Sequence, residues 1–282
     1  MSQQNAEVTG SQIILPPPPD IVQELRSISA DASSLGAIIA KDAELAQEVL
    51  ETINAPYFNL VRKISSIDEA VRFLGQDRIT KLTTARSLRT AFIKKSNSFL
   101  EDVWSSSNRV AIVAVLLAKE LKRSTAEEAY EIGLFHNIGM AVLFNHFDNY
   151  RSVIRSAYKH ESGAIGAFEQ HHLQQDHAAV GASLSEKWHL PQNLVLIIKN
   201  HHNLKWIEQQ FKDESDKELL DLICILKLAE FFSHLSGYIA QVPTNHEWLK
   251  ISDTIIEYLD LNTMKLEKLK RSITEKLSEI KI

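Results

Sequence analysis

The chain has 282 residues, 44% hydrophobic and 24% charged, which excludes a disordered polymer and suits one or two domains. A formal net charge of −5 supplies no global field toward nucleic acid, and one cysteine, Cys224, excludes both a disulfide framework and a Cys-rich zinc site. Nine Gly and seven Pro are few, with four of the Pro in one run, so the chain reads as all-α.

In chain order, residues 1–12 are polar and read as a flexible tail rather than a signal peptide. Pro16 to Pro19 set an extended entry, either a rigid lead-in packed on the domain or an SH3-type ligand. Asp20 opens a first helix, with Ile21, Val22 and Leu25 inward. Leu35, Ile38 and Ile39 repeat at helical spacing. Asp42 starts a third helix through Leu45, Val49, Leu50 and Ile53, which Asn54-Ala-Pro56 ends. Ser65-Ser66 open a fourth through Leu74, with Gly75 as its terminator. A fifth helix runs from about Asp77 to Phe92.

That fifth helix carries Arg78, Lys81, Arg86 and Arg89, followed by Lys94 and Lys95. With the helix before it, this face resembles a helix-turn-helix that could meet DNA. The alternative is a solvated basic face. The acidic total charge and the lack of interleaved aromatics favour the alternative, so nucleic acid is not an expected partner.

Trp104 and Ser107 to Leu121 predict an apolar helix, and Ser124 a cap for the next, which holds His136 and Asn137. A long helical region follows with Tyr150, Ile154, Tyr158 and Phe168. Beyond it come Glu169-Gln-His-His-Leu-Gln-Gln-Asp-His177, then Trp188-His-Leu-Pro191 and Ile197-Ile-Lys-Asn-His-His202. Trp188 reads as volume between helices and Pro191 as a helix start. Leu226-Lys-Leu-Ala-Glu230 opens another apolar helix through Leu235. Cys224 lies in an apolar run and reads as an inert core thiol.

His136, His171, His172, His177, His201 and His202 gather in one half of the chain. Imidazoles with a carboxylate such as Asp176 or Glu230 can hold a transition metal. No tight His pair lies on one helix, so a site would have to collect ligands from several helices. The alternative is a set of core and exposed imidazoles with no ion.

Taken together, Leu15-Pro-Pro-Pro-Pro19, Ile39-Ala-Lys-Asp-Ala43, Leu50, Asn54-Ala-Pro-Tyr-Phe58, Ile64-Ser-Ser-Ile67, Ala70, Leu74-Gly75 and Ile79 resemble the HDOD domain. This is the HD-related output domain of bacterial signalling proteins, and the resemblance covers about residues 13 to 240. It implies an N-terminal helical part over 13–100 and an HD-like helical bundle over 101–240, packed as one unit. Residues 241–282 lie past it.

The resemblance also implies a comparison with active HD phosphohydrolases, which collect a first His, a His-Asp pair, further His residues and a late Asp on metal. Here the first position falls on Ser106, and the pair is His136-Asn137. The later positions fall on His177, His201, His202 and Glu230. A neutral Asn weakens metal binding and the activation of bound water. No catalytic residue is therefore assigned. No cofactor is expected, and a divalent metal held by His136, His177, His201, His202 and Glu230 is the alternative.

The implied function is a non-catalytic signalling module that binds a regulatory protein partner or a small signalling ligand. The alternative is a metal-dependent phosphohydrolase of a nucleotide or cyclic dinucleotide. Such domains often sit beside receiver domains, and none is read here, so an input in trans or as a ligand is expected. No run reaches the roughly 20 apolar residues of a membrane span, and the cytoplasm of a microbe is the expected location. Leu266, Leu269, Ile273, Leu277 and Ile280 form a final apolar stripe. It belongs to a helix docked on the parent domain, a homodimer helix or a membrane-surface helix.

Overall fold

The structure, a computed structural model, describes residues 13–27, 32–58, 60–93 and 97–280. The expected 1–12 tail and the side chains of Arg89, Lys94 and Lys95 lie outside the described residues. Every regular element among the described residues is helical, so the protein is all-α.

Five helices form the N-terminal bundle: α1 (Asp20–Ser27), α2 (Ala32–Ile39), α3 (Ala43–Ile53), α4 (Ile67–Leu74) and α5 (Gln76–Ile93). Local chemistry sets their starts. Asp42 accepts from the Leu45 amide at 3.0 Å and caps α3, and Ser66 caps α4 by accepting from Glu69 N. Asn54 holds the return loop. Its Nδ2 donates to the carbonyls of Leu50 and Ile64 at 2.8 Å, and its Oδ1 accepts from Ile64 N at 2.7 Å. Gly75 ends α4 at φ +88°, a conformation that favours glycine. Leu35, Ile39, Val49, Ile53, Ile64, Ala70 and Ile79 are buried together.

The HD-like bundle is built around α6 (Ser98–Leu121), whose residues 110–118 are buried without interruption. It starts earlier than the sequence suggests because Asn97 caps it, accepting from Phe99 N at 2.9 Å. Around it lie α7 (Ala126–Phe135), α8 (Ile138–His146), α9 (Tyr150–Lys159), α10 (Ile165–Leu173), α11 (His177–Lys187) and α12 (Gln192–Asn200), then α13 (Leu204–Asp213), α14 (Lys217–Phe232) and α15 (Leu235–Ala240).

Two expectations change here, and a third is refined. Thr125, not Ser124, caps α7. Ser124 sits at φ 56°, whereas Thr125 is extended and forms a capping box with Glu128. The long helical region from Tyr150 divides into two helices, α9 and α10. Finally, α14 starts at Lys217 behind an Asp216 cap and ends at Phe232, rather than spanning Leu226 to Leu235.

The lead-in packs on the domain. Lys187 Nζ donates to Leu15 O at 2.6 Å, and the fully buried Trp188 donates Nε1–H to Pro16 O at 3.0 Å. Past the bundle lie α16 (Trp248–Tyr258) and α17 (Thr263–Ser278). Leu269, Ile273 and Leu277 bury the final stripe against α6 and α14, and Lys276 pairs with Glu120. The last helix is therefore docked on its own chain. No helix among the described residues is long and apolar enough to cross a membrane. Cys224 is fully buried, and burial pushes its thiol pKa well up, as an inert thiol requires.

Candidate functional site: a buried histidine and carboxylate cluster

His136 and Asn137 do not share one helix as expected. They form the break between α7 and α8, with His136 closing α7 and Asn137 opening α8. Two glycines bring this break to its neighbours. A Cβ on Gly133 would lie 2.4 Å from Ala111 Cα, and one on Gly139 would lie 1.9 Å from the His177 carbonyl oxygen. Only the missing side chains let α7 settle on α6 and α8 settle on the first turn of α11. His136 and His177 are thereby drawn to the same interior point.

His201 closes α12 and His202 follows it, so three helix ends deliver four buried imidazoles. Each is held by its Nδ1. His136 faces Gly133 O at 2.8 Å, and His201 faces Ile198 O at 2.7 Å. His177 faces Glu169 Oε2 at 2.5 Å, and His202 lies 2.9 and 3.0 Å from the two oxygens of Glu247. Carbonyl and carboxylate oxygens only accept, so each Nδ1 carries the proton. In a neutral ring, Nε2 then presents a lone pair. His177 Nε2 and His201 Nε2 are 3.4 Å apart, and one ring nitrogen from each of His177, His201 and His202 falls within 4.8 Å of the others. The His136 and His201 rings meet edge to face at 5.5 Å. His171 and His172 stay at the surface and outside this group.

Carboxylates close the other side. Glu230 Oε1 is 3.6 Å from His136 Nε2. Between Glu230 and Glu247 lies Lys227, whose Nζ donates to Glu230 Oε2 at 2.8 Å and to Glu247 Oε2 at 3.0 Å. The Lys227 side chain is 2% exposed. Tyr150 OH donates to Glu169 at 2.8 Å. Lys227, Glu169 and Glu247 belong to this candidate site and were not singled out from the sequence.

Charge follows this layout. Burial lowers the His136 pKa to about 3, and the nearby Lys227 charge adds to the effect. Burial holds His201 and His202 well below the usual imidazole value, with Lys227 again contributing. The Glu247 charge beside His202 is already met by Lys227. Burial would lower His177 too, but the Glu169 carboxylate outweighs it and raises the pKa. A protonated His177 can donate Nε2–H to His201 Nε2, which accounts for their approach. Burial and the Glu247 charge lift Glu230 to about 7 against the pull of Lys227. For Lys227, burial is outweighed by its two carboxylates and the pKa is raised, so the ammonium stays charged.

The two positions that depart from the hydrolase pattern are also settled in space. Ser106 is buried and donates Oγ–H to Val103 O at 2.8 Å, within its own helix. Asn137 is buried beside the Tyr158 hydroxyl, with no hydrogen bond of regular geometry on its Oδ1 or Nδ2. His136 Nε2, His202 Nε2 and Glu230 Oε1 are likewise without a partner.

The fit of a metal can be judged on these atoms. Imidazoles anchored through Nδ1 to carboxylates and carbonyls are the usual outer support of a metal site. His177, His201 and His202, whose ring nitrogens lie within 4.8 Å of one another, can offer three donors to a single ion of the zinc type. A bridged pair of ions does not fit. Asn137 is a neutral amide, the Ser106 hydroxyl is spent on Val103 O, and an ammonium stands between Glu230 and Glu247.

The basic face of α5 is largely engaged within the chain. Arg78 pairs with Glu127 at 3.1 Å, Arg86 donates to Thr52 Oγ1 at 2.9 and 2.5 Å, and Lys81 also has a partner. A cleft of about 1100 Å³ lies elsewhere, between α3 and residues 54–65, and no histidine lines it. A second, of about 520 Å³, lies between α10, α11 and the start of α13 and reaches His202.

An all-helical fold with this histidine cluster defines the HD-like class of helical domains. The HDOD domain model matches residues 15–204, and the chain belongs to that family. The match stops short of Glu230 and Glu247, so it covers less than the span of 13 to 240 read from the sequence. A curated relative of uncharacterised function from Treponema pallidum (strain Nichols) is 22% identical over 198 residues, 68% of this chain and 38% of that protein. The chain thus spans well under half of that relative.

Among solved structures, a Shewanella amazonensis SB2B protein provisionally described as a phosphohydrolase shares 22% identity and a TM-score of 0.62. The alignment covers 93% of this chain and 90% of that one. Another from the same organism, provisionally described as a metal-dependent phosphohydrolase, has a TM-score of 0.65 at 14% identity, covering 94% and 93%. A Geobacter sulfurreducens HDOD domain protein of unknown function gives 0.58 at 20% identity, covering 93% of each. Identities this low establish a shared fold.

Proposed function

We propose that this chain is a non-catalytic HDOD regulatory module, acting by binding a partner protein or a small signalling ligand. The observation that carries this reading is Asn137. Metal-assisted hydrolysis needs charge at the ion to lower the pKa of bound water and align it. A neutral amide at the pair position supplies none, and His136, His177 and His201 are buried beyond reach of solvent.

A phosphohydrolase is the second reading, favoured by the four anchored imidazoles. In that case His177, His201 and His202 would hold the ion, which would supply Lewis acidity. The test is turnover of a cyclic dinucleotide and of bis(p-nitrophenyl) phosphate by the purified chain with manganese, iron or zinc. We expect no hydrolysis above the protein-free blank. Turnover that His177→Ala abolishes would overturn the non-catalytic reading.

A further inference from the structure

We propose that Lys227 is the built-in cation of this centre, an ammonium that joins Glu230 to Glu247 and keeps the affinity for divalent ions low. The inference rests on the non-catalytic reading of the same site.

Three carboxyl groups, Glu169, Glu230 and Glu247, face inward here, and each is at least nine-tenths buried. Unpaired charges at such depth are costly and demand a counter-ion. A metal would be one solution. The chain carries another. The Lys227 ammonium meets Glu230 and Glu247 at 2.8 and 3.0 Å, and the ring of His177 meets Glu169 at 2.5 Å. The ammonium thus brings to two of the three acids the counter-charge that an ion would otherwise supply.

The position of the ammonium also opposes loading. It is hydrogen-bonded to the acid whose other oxygen faces His136 at 3.6 Å, and a positive charge placed there repels a divalent ion from the imidazole lone pairs. It also occupies Glu230 Oε2, so that carboxylate can turn only one free oxygen toward the histidines.

Glu247 completes the arrangement from outside the family match. Its backbone is seated against Gly163, where a Cβ would lie 3.0 Å from Glu247 Cα and N. Asn245 accepts from Trp248 N at 2.9 Å and fixes the turn that delivers it. One acid on α14 and one at the head of α16 are thus held by the same ammonium. The C-terminal helices are fastened to the centre through Lys227.

The experiment is calorimetric titration of the full chain with zinc and with manganese, alongside metal retained after desalting. It compares wild type with Lys227→Met, Lys227→Arg and the double variant Lys227→Met/Glu247→Gln. Lys227→Met should bind about 10- to 100-fold more tightly than wild type, the range that changes around metal ligands produce. Adding Glu247→Gln should remove much of that gain, and Lys227→Arg should stay near wild type.

A folded Lys227→Met with wild-type affinity would overturn the proposal, as would wild type retaining one ion per chain through desalting. An equal gain in Lys227→Arg would overturn it too, because space rather than charge would then be the cause. If Lys227→Met folds only with metal, rescue by zinc supports the proposal and failure of rescue overturns it. Hydrolysis by wild type would instead sink the non-catalytic reading, and the affinities would still report on Lys227.

Discussion

The two helical bundles of this protein solve the interior problem differently. The N-terminal bundle buries aliphatic side chains and the hydroxyls of Thr52, Thr83, Thr84 and Ser87, with no fully buried charge among its described residues. The HD-like bundle gathers four imidazoles, the carboxyls of Glu169 and Glu230 and a lysine around one point, and the head of α16 adds Glu247. An apolar core keeps its stability across pH and ionic conditions. An ionic core is conditional, because each member depends on the charge state of the next.

The comparison can be broken most directly at Lys227. In the absence of metal, Lys227→Met leaves two buried acids unpaired and should cost about 3–5 kcal/mol in urea denaturation. A loss under about 1 kcal/mol would show that the acids protonate at little expense, and the contrast between the bundles would shrink.

Ile39→Ala in the N-terminal bundle should cost about 2–5 kcal/mol, because the side chain is fully buried. Its loss should be the same at pH 5 and pH 8. A pH-dependent loss there would argue that the two interiors are one electrostatic unit.

The pH profile itself sharpens the point. A His136 held at about 3 when folded and near 6.5 when unfolded binds fewer protons in the native state between those values. Its contribution is therefore full above about pH 6.5 and is lost as pH falls toward 3. His201 and His202 act in the same direction. Glu230, raised from 4.5 to about 7, and Glu247, also raised by burial, act oppositely and erode stability as pH rises. The three imidazoles outnumber the two carboxyls, so melting temperature should fall from pH 6.5 to pH 4. His136→Gln should flatten that slope. The smallest effect is expected at the surface, where Arg78→Ala should change stability by about 0–1 kcal/mol, measured by thermal melting.

Much of the fold was legible because its signals are local. Asp42, Ser66 and Gly75 mark helix ends within a few residues of their effects, and the apolar stripes of α3, α4 and α17 recur at helical spacing. The site was legible only in part. His136, His177, His201 and His202 stood out as a residue type, and the structure brings them together. Glu247 lies 45 residues from its partner His202, a distance that no periodicity spans. Lys227 was readable in principle. It interrupts the apolar run of α14 three residues before Glu230, where a charge facing inward needs a partner. The placement of His136 and Asn137 at a helix break was not readable, since it depends on how closely Gly133 and Gly139 let other helices approach.

The bond from Trp188 to Pro16 joins residues 172 positions apart in the chain. A ribosome adding about 5–20 residues per second needs roughly 10–30 s to cover that distance. For that interval the proline lead-in has no indole to receive it and must wait beside the newly made N-terminal bundle. Docking of the lead-in is therefore a late event in biosynthesis, a clasp that closes only after α11 has emerged.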